Sequence, residues 1–122
     1  MEKYEYMSAV DGKLLQLEKD IMEKIISEDF VLVNILKKQY QSAIVKEREF
    51  TGVGLYTCFE ITDKELRISK PETRNLGTFI AKVNGILVDV ILWVENGFIN
   101  CLELVTFGDE RFPEKIETYE FV

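Results

Sequence analysis

Histidine is absent from the 122-residue chain, and that absence removes more chemistry than any other. Without an imidazole there is no Ser-His-Asp or Cys-His catalysis, no imidazole metal ligand and no ordinary side-chain pH switch. Cysteine is nearly as scarce. Cys58 and Cys101 stand 43 positions apart, with no C-x-x-C and no zinc spacing, so no metal site is expected. Two buried thiols in a reducing cytosol are the expected reading, with a disulfide as the alternative. Only two prolines and seven glycines occur, too few for a low-complexity linker, and a single α+β domain over residues 1–122 is expected. The longest apolar run, ILVDVILWV at 86–94, carries Asp89 and is too short to cross a bilayer as a helix. No membrane partner is expected. The opening MEKYEYMSAV is acidic and lacks an apolar signal core, which suits a cytoplasmic protein.

What is present is a soluble composition, 47% hydrophobic and 30% charged, with a net charge of −7 from 22 acids and 15 bases. The acids are spread along the chain. Such a surface repels phosphate backbones and anionic membranes, so nucleic acid is not expected as a partner. A basic protein partner suits it, although solubility alone accounts for the same charge.

The chain opens helically. Ser8 and Asp11 have the spacing of an N-terminal cap. Leu14, Leu17, Ile21 and Ile25 recur at helical intervals, with Glu18, Lys19, Asp20, Glu23 and Lys24 read as the wet side. A helix over roughly 8–26 follows, stopped at Ser27. A second, over roughly 28–42, puts Leu32, Leu36, Tyr40 and Ala43 on one face.

From Ala43 the period falls to two. Asn84-Gly85 and Asn96-Gly97 each separate alternating apolar runs, the strongest short-range hairpin signal. Strands are expected at 78–83, 86–95 and 98–107, with another near 116–121 and a possible short one at 66–68. The fold expected is two N-terminal helices on one face of an antiparallel sheet of about five or six strands.

Two-residue turns pair Val83 with Ile86, Val94 with Ile99, Leu92 with Cys101 and Val90 with Glu103. Glu103 then points into the core face. The opposite face carries Ile80, Leu87, Ile91, Trp93, Phe98, Leu102 and Leu104, too apolar for a solvated sheet face. Either it is an interface, or the C-terminal segment or the 63–77 connection covers it.

The G-x-G at Gly52 and Gly54 lacks the lysine and hydroxyl of a phosphate loop, and the third glycine and helix of a dinucleotide site. No cofactor is expected. The following LYTCFEI alternates as a strand, so Thr51–Gly54 reads as a hairpin connection whose glycines supply positive φ. A four-residue loop pairs Arg48 with Thr57 and turns Arg48 inward; an odd-length loop turns Glu47 and Glu49 inward instead. On the even reading Arg48 and Glu103 form a buried pair, structural or ligand-anchoring, because an unpaired buried charge is costly.

The runs KKQYQSAIVKEREFTGVGLYTCFEI and VDVILWVENGFINCLELVTFGDERFP, together about half the chain, resemble a bacterial family of small, functionally uncharacterised proteins. The family's R-x-x-TGVG hairpin and Leu-Glu strand motif match Arg48, Gly52, Gly54 and Glu103. The resemblance implies an α+β domain and no particular activity. In the family Leu-Glu is usually followed by Gly, where this chain has Leu104.

With no catalytic constellation, the function expected is a cytosolic, non-enzymatic interaction module. It is either a homodimer or an inhibitor-like, immunity-type partner of a basic protein. The alternative is a small-molecule-binding protein or enzyme whose pocket is anchored by Arg48 and Glu103.

Overall fold

The computed structural model describes residues 14–29, 31–69 and 74–122. Two helices, α1 (Gln16–Glu28) and α2 (Val33–Ser42), precede six strands: β1 (Ile44–Phe50), β2 (Gly54–Glu60), β3 (Arg74–Val83), β4 (Ile86–Glu95), β5 (Phe98–Thr106) and β6 (Tyr119–Phe121). The sheet is antiparallel throughout, in the order β1-β2-β5-β4-β3-β6. This is the expected α+β arrangement. The Ser8–Asp11 cap lies outside the described residues.

Helix α1 forms because Leu17, Ile21, Met22, Ile25 and Ile26 fall on one stripe, and all are buried against the sheet. The turn after it is closed by Asp29, not Ser27: the Asp29 carboxylate accepts the Leu32 N–H at 3.0 Å. Helix α2 buries Leu36 and Tyr40 as expected, and Gln39 with them. Gln39 donates to the Leu66 and Gly97 carbonyls at 2.7 and 2.9 Å and accepts the Ile99 N–H at 2.8 Å. It thereby ties α2 to the β4–β5 turn. The segment Lys64–Leu66 is a single 3₁₀ turn instead of a strand, with Ile68 N–H donating to the Gly97 carbonyl.

Each Asn-Gly hairpin has its asparagine at positive φ, 51° at Asn84 and 53° at Asn96, as the expected turns require. Asn84 also holds the chain's last segment. Its side-chain oxygen accepts the Glu117 and Thr118 N–H groups, and its amide donates to the Lys115 carbonyl.

The sheet has three register shifts, in β1, in β3 between Leu76 and Phe79, and in β5, and those in β1 and β5 decide where the candidate site residues face. In β1, Val45 pairs with Phe59 while Glu47 pairs with Cys58, leaving Lys46 as the extra residue. Strict alternation would send Val45 and Arg48 to opposite faces; the bulge lets both turn inward. In β5, Val94 pairs with Ile99 but Trp93 pairs with Cys101, so Asn100 is the extra residue. A slip of one residue exchanges the two faces of everything beyond it. Val90 therefore meets Leu104, and Glu103 meets Ile91.

Candidate functional site

The bulge in β5 overturns the expected Arg48–Glu103 pair. Arg48 faces Thr57 on the helix side, whereas Glu103 pairs with Tyr56 and Ile91 on the opposite face of the sheet. The same slip moves Leu102 and Leu104 out of the expected interface. Both are fully buried in the core, while Cys101, Glu103 and Val105 take the outer face.

Arg48 is 1% exposed and meets a carboxylate from an unexpected element, Glu18 of α1, itself fully buried. Glu18, expected on the wet side of the helix, is buried instead. It accepts from the Arg48 guanidinium, from the Thr57 hydroxyl and, at 2.9 Å, from the Leu15 N–H. Arg48 Nε also donates to Thr57 Oγ1 at 3.3 Å. Burial pushes the Glu18 carboxyl above its ordinary range, against the opposing pull of the Arg48 charge and the bonds from Thr57 and Leu15. Among the described residues no buried polar side-chain atom lacks a hydrogen-bond partner. The pair is a sealed bolt between α1 and the β1–β2 hairpin.

The glycines of the G-x-G have separate tasks. Gly52 sits at φ +91° with open space around it, while a Cβ on Gly54 would lie 2.2 Å from the Leu104 carbonyl oxygen. Only Gly52 thus supplies positive φ; Gly54 allows β2 to lie close against β5. The loop's carbonyls are engaged too: Val53 accepts from Thr106 N–H and Gly52 from Phe112 N–H. An open hollow of about 360 Å³ adjoins the glycines, with Phe50, Phe112 and Pro113 among its walls.

Among the described residues, the outer face is the part left most open. The C-terminal segment pairs with β3 at the sheet's edge and reaches the helix side, where the Tyr119 hydroxyl donates to Asp20. Helices α1 and α2 bury their apolar residues with the inward-facing side chains of the sheet. Leu87 is 45% and Ile80 37% exposed, and Tyr56, Ile91, Trp93 and Val105 are half-buried. Phe98 is partly taken, with Lys64 Nζ 5.0 Å and the Arg67 guanidinium 5.6 Å from its ring centre.

Glu103 sits at the middle of this face. Trp93 Nε1 donates to its Oε1 at 3.0 Å from β4, and Tyr56 stands directly across from it on β2. Burial raises the Tyr56 hydroxyl pKa above its ordinary value, with the negative charge of Glu103 adding to the effect. Neither Glu103 nor Asp89 forms an ion pair among the described residues.

Cys58 and Cys101 face each other across β2 and β5 and form a disulfide on this same face. The expectation of two free thiols is thereby corrected. Placing the pair in sequence needed the β5 register, which strict alternation misassigned. The free-thiol support for a cytosolic location goes with it.

No helix of the described residues is long and apolar enough to cross a membrane. Comparison with known protein families, curated proteins and solved structures finds no match.

Proposed function

We propose that this chain is a non-enzymatic binding module, of the inhibitor or immunity kind, that docks a basic protein on the outer face of its sheet. One observation carries the reading: Asp89 and Glu103, without described ion-pair partners, are set among half-buried Tyr56, Ile91 and Trp93. Aromatic and aliphatic side chains supply contact area, and unpaired carboxylates supply the sign of the partner. The chain's net charge of −7 adds long-range attraction for the same partner. The proposal keeps the cytosolic setting and the kinship with small bacterial proteins read from the sequence.

A shared Arg48–Glu103 anchor for a small molecule is disfavoured by geometry, since the two lie on opposite faces of the sheet and Arg48 is sealed against Glu18. A homodimer through the outer face is the second reading, favoured by the exposure of Leu87 and Ile80.

Affinity capture with the wild-type chain, Ile91→Asp and the helix-face control Lys38→Ala tests the proposal. A basic protein held by wild type and control but lost with Ile91→Asp supports it. Equal capture by all three, or light scattering that shows only a dimer broken by Ile91→Asp, contradicts it.

A further inference from the structure

On the outer face a hydrogen-bonded tryptophan and carboxylate, Trp93 and Glu103, stand near Tyr56. Glu103 lies on β5 with Tyr56 of β2 directly across on one side and Ile91 of β4 on the other. Trp93, two residues further along β4, pairs with Cys101 and reaches Glu103 on the diagonal. Adjacent strands are about 5 Å apart and each residue advances about 3.4 Å, so the stems of Tyr56 and Trp93 stand about 12 Å apart on a diagonal, with the Glu103 stem directly across from Tyr56. The Trp93 indole occupies Oε1 of Glu103 at 3.0 Å, and no described donor occupies Oε2. That bond fixes the carboxylate beside the indole. The Cys58–Cys101 disulfide lies two residues along from Tyr56 and Glu103 on their own strands, holding the two strands in register there. No described cation lies over Tyr56 or Trp93.

We infer that Tyr56, Trp93 and Glu103 form a recess for an arginine side chain of the docked partner. A guanidinium is planar. It stacks on an aromatic face while its N–H groups reach a carboxylate oxygen, and it sheds water more readily than an ammonium. Lysine offers a point charge and no plane to stack. The recess has this task only where the outer face docks a basic protein, as proposed above.

Trp93 is the only tryptophan in the chain, so its fluorescence reports this recess directly. The oxidised protein is titrated with a short capped arginine peptide and with a lysine peptide of equal charge. The arginine peptide shifts Trp93 emission saturably, and the lysine peptide binds several-fold more weakly. Glu103→Gln and Tyr56→Leu, each checked for an unchanged melting transition, weaken the arginine peptide about tenfold. Glu28→Gln, which removes the same charge from an exposed helix position, leaves binding unchanged. Equal binding of the two peptides, both weakened by Glu103→Gln, overturns the arginine recess and leaves the docking face standing. Weakening by Glu28→Gln as large as that by Glu103→Gln overturns the recess as well. No saturable change with either peptide overturns the recess and the basic-partner reading together.

Discussion

Arg48 and Glu18 form a buried ion pair between the first strand and the first helix, with Arg48 1% exposed and Glu18 not at all. The attraction between two such charges roughly balances the cost of removing them from water, whereas leaving either one alone does not. Arg48→Met therefore costs about 3–5 kcal/mol, because it strands the Glu18 carboxylate in the core. The double variant Glu18→Leu/Arg48→Met loses far less than the sum of its single variants, and denaturant midpoints for the cycle measure the coupling. Additive losses would show that the two side chains do not act as a pair.

The G-x-G predicts two unlike alanine effects. Gly52→Ala places a Cβ in open space but keeps φ at +91°, and the left-handed conformation costs about 1–2 kcal/mol. Gly54→Ala drives a Cβ to 2.2 Å from the Leu104 carbonyl oxygen. That atom cannot move without disturbing the β2–β5 ladder, so the loss is larger, about 3 kcal/mol. Thermal or denaturant unfolding that ranks the two in the opposite order contradicts this division of labour.

The Cys58–Cys101 bond closes a long loop, with a sequence separation of 43. Chain-entropy arguments give about 4 kcal/mol for a loop of that size. Cys58→Ser/Cys101→Ser should lower the denaturant midpoint accordingly and weaken arginine-peptide binding, since the bond lies beside Tyr56 and Glu103. An unchanged midpoint after reduction would show that the bond adds nothing.

Alkaline stability follows from two tyrosines. Burial pushes Tyr40 from 10.0 to about 12, with Glu23, Glu18 and Asp20 adding to it. The hydrogen bond to Asp20 pushes Tyr119 from 10.0 to about 12. Between those values the folded chain keeps protons that the unfolded chain releases, so stability falls as pH rises through that window. Tyr119→Phe flattens the slope, which unfolding midpoints measured across the window will show. A slope unaffected by the substitution removes Tyr119 from the account.

Much of the fold was legible because its signals are local. Helical spacing from Leu14 to Ile25 and the two Asn-Gly turns marked both helices and the meander. Arg48 turned inward as the four-residue loop required. The partner was lost to one residue, Asn100, whose bulge sends Glu103 outward and Leu102 and Leu104 inward. Alternation counts residues and carries no mark for an inserted one. Glu18 was readable in principle: it stands four residues after Leu14 and four before Met22, on the buried stripe. Gln39 repeats the lesson, three residues after Leu36. Charge points Glu18 towards solvent, while the helical period places it inside, as it does Gln39.

Amide chemical-shift mapping during titration with the arginine peptide tests the central claim most directly. The docking account predicts that perturbed amides concentrate at Tyr56, Ile91, Trp93 and Glu103, with α1 and α2 unchanged. Perturbations centred on the helix face or the hollow beside Gly52, or spread evenly over every acidic surface, would contradict it.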